Sequence, residues 1–231
     1  MKQVMIVTGA SRGIGAATAR LGAAAGYAVC VNYLRNEAAA AALVEEISTA
    51  GGSAIAVAAD VAREAEVIAL FERVDAELGT VTALVNNAGI LETQSRLENM
   101  DTARLSRVFA VNVFGSFLCA REAVRRMSTG HGGGGGAIVN VSSAASRLGS
   151  PNEYVDYAAA KGAVDTLTIG LAKEVAGEGI RVNAVRPGVI YTEIHASGGD
   201  PDRVDRVKAA VPMRRGGYPE EVAKAILWLL S

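Results

Sequence analysis

The sequence predicts a single α/β domain, doubly wound, with a mostly parallel sheet and helices on both faces. Three observations point there. Short β-branched runs alternate with longer amphipathic stretches along nearly the whole chain, the alternation that right-handed β–α–β crossovers produce. The short runs are near-continuously apolar, as strands covered on both faces require. No shift in composition marks a second unit, so residues 1–231 read as one domain, large enough to bury about 70–75% of its unfolded surface.

In chain order, strands are predicted over residues 3–8, 28–32, 53–58, 83–86, 137–142 and 181–186. Each leads, directly or through a loop, into helical periodicity, over 13–25, 37–49, 64–78, 101–127, 157–177 and 219–230. The glycine run 132–136 sits just before a strand, so it reads as a flexible helix-to-strand loop and not as a linker, with His131 beside it exposed and idle. The sequence stops at Trp228-Leu229-Leu230-Ser231, inside a helical pattern. Either a final strand is missing from this chain or the sheet is one strand short.

Half of the residues are hydrophobic and 20% are charged, with a mean hydropathy of +0.25, which excludes a disordered chain. Aromatics make up only 5%, so small side chains must pack the elements closely. Basic and acidic residues nearly cancel, 23 against 24, leaving no global field for nucleic acid or an anionic membrane. Cys30 and Cys119 sit in apolar runs and read as reduced core thiols. The first apolar segment is too short for a signal peptide, and no apolar run approaches a membrane span. The expectation is a cytoplasmic protein with no membrane, nucleic-acid or metal partner.

The first strand runs into Thr8-Gly9-Ala10-Ser11-Arg12-Gly13-Ile14-Gly15 and then a helix. Glycines there allow a sharp turn and close approach to a pyrophosphate, whose charge is favoured by free N–H groups at a helix N-terminus. The spacing G-x-x-x-G-x-G differs from the commoner G-x-G-x-x-G, and a tight turn without ligand is the plainer alternative. After the second strand, Asn32-Tyr33-Leu34-Arg35 stands where an NAD site carries an acid. Asn32 and Arg35, with Arg12, are placed to receive a 2′-phosphate, which favours NADP(H) over NAD(H); the alternative is that the arginines are merely solvated. Asp60 is either an acceptor for the adenine amino group or a helix cap.

The fourth strand ends in Asn86-Asn87-Ala88-Gly89, and Asn112 lies among apolar residues in a helical pattern. A buried amide there needs partners, and a satisfied core asparagine is the simplest reading. The strongest constellation is Ser142-Ser143 followed by Tyr157-Ala158-Ala159-Ala160-Lys161. Residues four apart share a helix face, so the Lys161 ammonium is expected to lower the Tyr157 phenol from its ordinary value near 10. Tyr154 has no such partner.

Together with Pro187-Gly188-Val189-Ile190-Tyr191-Thr192, these motifs resemble the short-chain dehydrogenase/reductase family over essentially the whole chain. Within it, the chain looks most like bacterial oxidoreductases and glucose-1-dehydrogenase-like members. The resemblance implies a Rossmann fold, NADP as cofactor with NAD as the alternative, and a catalytic set of Asn112, Ser143, Tyr157 and Lys161. It places Gly9, Ser11, Arg12, Ile14 and Gly15 on the phosphates and ribose. Asn32, Tyr33 and Arg35 follow at the adenosine end, Asp60 and Val61 at the adenine, and Asn87, Ala88 and Gly89 at the ribose edge. Pro187 joins the cofactor set, and Ile190 with Thr192 meets the carboxamide. Tyr157 and Lys161 also touch the cofactor, Lys161 holding the nicotinamide ribose and Asn112 a water that resupplies the proton.

The implied activity is interconversion of a secondary alcohol and a ketone, Tyr157 giving or taking the proton. The competing reading is a cofactor-binding sensor or scaffold without catalysis. Two departures from the family stand out. Ser143 lies fourteen residues before Tyr157 where the family has about thirteen, so the loop 147–156 is expected to bulge and Ser143 is chosen over Ser142. The family's C-terminal border strand is also absent from the sequence. That weakens the case for a homotetramer and leaves a homodimer through the helices 101–127 and 157–177. The segment 193–214 falls where the family has a substrate lid. Its polarity hints at a sugar-like substrate, with His195, Arg203 and Arg214 either touching substrate or simply solvated.

Overall fold

Six strands hydrogen-bond in parallel as one sheet in the order β3-β2-β1-β4-β5-β6. They are β1 (Val4–Val7), β2 (Ala28–Tyr33), β3 (Ser53–Ala58), β4 (Ala83–Asn86), β5 (Gly136–Val141) and β6 (Ile180–Val185). The computed structural model describes residues 3–231; Met1 and Lys2, expected to lead straight into the first strand, lie outside the described residues. Every described strand is parallel, where a mostly parallel sheet was expected. The pleat of β1 sends Val4 and Ile6 to one face and Met5 and Val7 to the other.

Two layers of helices cover those faces. On the first, Val67, Leu70, Phe71 and Val74 of α3 (Glu64–Glu77) pack with Cys119, Ala120, Ala123 and Met127 of α5 (Gly115–Met127). On the second lie α1 (Gly13–Ala24), α2 (Glu37–Thr49) and α10 (Pro219–Leu230), through Ala16, Ala19, Ala40, Leu43, Ile47, Val222 and Ile226. Small residues on α1 bring it close to the sheet: a Cβ at Gly22 would overlap the Met5 side chain of β1. Not every strand is sandwiched: in β3, at one edge, only Val57 is buried. Both cysteines are fully buried and unpaired, and burial pushes both thiols up, as core thiols require.

The long helix expected over 101–127 is broken. It forms α4 (Thr102–Phe109), a π turn (Ala110–Phe114) and α5. The cause lies in Asn112, whose Nδ2 donates to the Val108 carbonyl at 2.9 Å, the acceptor that an α-helix reserves for the Asn112 N–H. Thr102–Met127 has the length of a membrane span and contains an 18-residue window of mean hydropathy 1.2, although charged residues interrupt it and no uninterrupted apolar run reaches that length. Arg104 and Glu122 within it are buried against protein partners. The loop 132–135 is the expected helix-to-strand connection, and the N–H groups of Gly133 and Gly135 donate to the carbonyls of Ser128 and Met127. His131 is exposed.

The strand order reverses between β1 and β4, which flank each other at the sheet centre. Open α/β sheets bind ligands at such a point, outside the carboxyl ends of the strands.

Candidate active site

The glycine turn is held by its neighbours on both sides. Thr8 Oγ1 accepts from the N–H groups of Asn87 and Ala88, each at 3.0 Å, and Asn87 Nδ2 donates to the carbonyls of Thr8 and Gly9. Gly9 has φ +60°, and a Cβ there would lie 2.9 Å from the Ala88 Cα. At Gly15 a Cβ would stand 2.6 Å from Asn87 Nδ2 and 2.8 Å from the Ala10 Cα. Helix α1 starts with no side-chain cap and no acid in its first turn, so its end attracts an anion. This backbone cradle fits the pyrophosphate of a dinucleotide.

Around the adenosine end, two expectations need correction. Asn32 is 1% exposed, its Oδ1 accepting from the Gly9 N–H and its Nδ2 donating to the carbonyls of Val57 and Ala59. With those bonds made inside the protein, it is a strut beneath the glycine turn and not a phosphate ligand. Arg12 and Arg35 are exposed and Tyr33 half-buried; Arg12 Nη2 donates to Ser197 of α8 (Ile194–Ser197) at 3.0 Å. Asp60 is not the cap of α3, because that helix begins beyond Arg63. Its Oδ1 accepts from the Ala62 N–H at 3.0 Å, while its partly exposed carboxylate stands 3.7 Å from Arg63. Val61 is buried in the core.

Helix α7 (Val155–Val175) brings Tyr157 and Lys161 beneath the end of β5. Lys161 Nζ donates to the Val141 carbonyl at 2.8 Å and lies 5.5 Å from the centroid of the Tyr157 ring. Burial lowers the ammonium to about 8, with Asp165 opposing. The phenol moves the other way: burial pushes it up to about 12, with the Ser143 hydroxyl beside it opposing. The expected lowering of Tyr157 by Lys161 is therefore not found. The ammonium is turned onto a carbonyl, and desolvation favours the neutral phenol.

Geometry also separates the two serines. Ser142 is buried and its Oγ donates to the Lys161 carbonyl at 3.2 Å. Ser143 accepts from the Ala145 N–H and neighbours the phenol. The extra residue between serine and tyrosine is absorbed after α6 (Ala145–Leu148), where Ser150 (φ 44°) and Asn152 (φ 62°) are left-handed. Asn112 Nδ2 uses both protons on the carbonyls of Ile90 and Val108, and its Oδ1 accepts from the Ile90 N–H. Its side chain holds the loop after β4 and has no proton left for a water. A Cβ on Gly89 would sit 2.7 Å from Asn112 Oδ1 and 3.5 Å from Lys161 Nζ, so Gly89 backs directly onto Lys161.

Beyond β6, Pro187 accepts from the Ala144 N–H at 2.9 Å, joining the ends of β5 and β6. Ile190 bridges to Gly217, and Thr192 reaches the glycine turn, its Cγ2 3.3 Å from where a Gly13 Cβ would stand. The segment expected to form the lid follows in α8 and α9 (Arg203–Val207). Its charges are spent on one another and on the body of the protein: Arg203 on Glu153, Arg206 on Asp200, Lys208 on Asp205. Arg214 reaches the Ala209 carbonyl, and His195 Nε2 bonds the Ile190 carbonyl at 2.9 Å. Tyr154, read only as the tyrosine without a lysine, is buried and donates to the Gly198 carbonyl at 3.3 Å, fastening the lid to the start of α7. Arg104 and Asp156, absent from the expected set, form a buried ion pair below Tyr157; the acid directly before the tyrosine was the available signal.

A backbone phosphate cradle and a Ser–Tyr–Lys group at the switch point of a doubly wound sheet define a nicotinamide-dependent oxidoreductase of Rossmann type. Residues 9–231 match the family model described as enoyl-(acyl carrier protein) reductase, and the chain belongs to the short-chain dehydrogenase/reductase family, whose members bind NAD(P)(H). It is 61% identical over 228 residues to the uncharacterized oxidoreductase YgfF of Escherichia coli (strain K12), covering 99% of this chain and 92% of that protein. It is 43% identical to cis-4-hydroxycyclohexanecarboxylate dehydrogenase of Sinomonas cyclohexanicum, covering 100% of this chain and 90% of that one. The crystal structure of 3-ketoacyl-(acyl-carrier-protein) reductase from Brucella melitensis complexed with NADH superposes with a TM-score of 0.91 at 33% identity, covering 99% and 91% of the two chains.

Proposed function

We propose that this protein is an NADP(H)-dependent oxidoreductase that interconverts a secondary alcohol and a ketone. The observation that carries the reading is the pairing of Tyr157, its phenol pushed up to about 12, with Lys161 on the same helix face, 5.5 Å from the ring. The nicotinamide, when bound, supplies or accepts the hydride. In the reductive direction Tyr157, neutral at physiological pH, gives its proton to the carbonyl oxygen. Ser143 donates a hydrogen bond to that oxygen as its charge grows. Lys161, charged below about pH 8, favours the phenolate left behind and is placed to hold the nicotinamide ribose. Asn112 fixes the loop carrying Gly89, which shapes the floor beneath the ring.

Selection of NADP(H) rests on Arg12 and Arg35, both exposed at the adenosine end, with no acid in the segment Asn32-Tyr33-Leu34-Arg35. Gly9, Ser11, Ile14 and Gly15 take the pyrophosphate, Asp60 and Val61 the adenine, Asn87 to Gly89 the ribose edge, and Ile190 with Thr192 the carboxamide. A homodimer through α5 and α7 is supported by Phe117 of α5, Ile169 of α7 and Phe114 of the adjoining π turn, large apolar side chains left exposed; such a stripe marks a partner surface.

The deciding experiment is Tyr157→Phe in NADPH-linked reduction of a panel of ketones, beside a fluorescence titration with NADPH. Turnover is expected to vanish with cofactor affinity nearly unchanged, since the ring still packs and only the proton donor is lost. A Tyr157→Phe protein that keeps its activity overturns the assignment.

A further inference from the structure

We infer that Arg104 and Asp156 form a positioning pair that sets the angle at which Tyr157 is presented and ties that angle to the seat of the lid. The inference rests on the reading of Tyr157 as the proton donor. Arg104 Nε donates to Asp156 Oδ2 at 2.7 Å and Nη2 to Oδ1 at 3.3 Å, a two-pronged contact with the side chains only 9% and 1% exposed. Asp156 Oδ1 also accepts from the Tyr157 N–H at 2.9 Å. The same carboxylate therefore accepts hydrogen bonds from the arginine and from the backbone N–H of the residue that carries the phenol.

Arg104 is itself anchored at two further points. Its N–H donates to Asp101 Oδ1, the cap of α4, at 2.7 Å. Its Nη1 donates to the Thr93 carbonyl at 2.6 Å, on the stretch where the lid rests. A Cβ at Gly199 would lie 3.3 Å from Thr93 Cγ2, and one at Gly198 would lie 3.2 Å from Leu91 Cβ and from the Tyr154 hydroxyl. A single guanidinium thus joins α4, the first turn of α7 and the lid seat. A planar two-pronged pair fixes direction as well as distance. Stability alone does not account for it, because apolar residues of like volume usually serve a core at least as well as a buried ion pair. What the pair adds is a fixed orientation for the helix turn that must bring a hydroxyl within bonding distance of a reacting oxygen.

The test compares kcat, KM and the NADPH Kd for Arg104→Met, Arg104→Lys and Asp156→Asn, with unfolding curves for each and Tyr157→Phe in the same assay. For Arg104→Met, kcat is expected to fall by about 10- to 100-fold, with the NADPH Kd and ketone KM staying within about twofold of the parent. Arg104→Lys keeps the charge and is expected to recover part of the loss. Asp156→Asn keeps an acceptor for the Tyr157 N–H but breaks the pair, and is expected to lower kcat about tenfold; it decides the matter if Arg104→Met does not fold. Folded variants with unchanged kcat, or with losses confined to KM or Kd, overturn the positioning role. If Tyr157→Phe is inactive while these variants are fully active, only the pair is rejected; if Tyr157→Phe is active, the catalytic reading itself fails.

Discussion

Lys161 is buried where an ammonium is costly, and that cost is measurable. Burial lowers it from 10.5 to about 8, so at neutral pH the folded state carries a charge it resists, at a penalty of about 3 kcal/mol. Lys161→Met removes that penalty in a side chain of similar length. It also removes the 2.8 Å bond to the Val141 carbonyl, and an unpaired buried carbonyl costs about 1–3 kcal/mol. The variant is therefore expected to be as stable as the parent at pH 7, or more stable by up to about 2 kcal/mol, while losing turnover.

The pH dependence isolates the lysine. Between about pH 8 and 10.5 the unfolded chain holds a proton that the folded protein has released, so the parent gains stability as pH rises through that window. Lys161→Met has no such term. Between pH 7 and pH 9.5 the parent should gain about 2 kcal/mol relative to the variant, with all other titrating groups common to both proteins. Urea unfolding of the two proteins at both pH values measures the gap directly. A gap that stays constant between them would falsify the claim that the folded protein holds this lysine near 8.

Three further outcomes follow from the cofactor side. Asn32→Leu leaves the Gly9 N–H and the Val57 and Ala59 carbonyls without their partner, and should lower stability by about 2–4 kcal/mol in urea unfolding; NADPH and NADH affinities should fall together, and a loss confined to NADPH would show that Asn32 meets the 2′-phosphate after all. Gly15→Ala drives a Cβ against the Asn87 amide and the Ala10 Cα, and should cost about 1–3 kcal/mol in stability and weaken both cofactors in a fluorescence titration. Arg12→Ala and Arg35→Ala should each weaken NADPH by about tenfold or more through loss of a charge-assisted bond and leave NADH nearly unchanged; equal losses for both cofactors would remove the arginines from the 2′-phosphate site.

The fold and the chemical core of the site were legible in the sequence because they rest on local pattern. Continuous apolar runs mark strands buried on both faces, and the predicted strands all appear, two of them, β3 and β4, with the expected bounds. The i, i+4 spacing of Tyr157 and Lys161 places them on one helix face whatever surrounds them. The glycine turn carries its own backbone requirement. What the tertiary structure decided is what each polar group is bonded to, and therefore its charge and its freedom to meet a ligand. Asn32 looked available for a phosphate until the carbonyls of Val57 in the neighbouring strand and Ala59 just beyond it took its amide. Asn112 broke a helix by claiming the Val108 carbonyl. The lid charges found one another, and Arg104 found Asp156 across 52 residues of chain. Tyr157 and Lys161 show the division most clearly: their spacing was set by sequence, but the direction in which each titrates was set by burial, which only the packed chain creates.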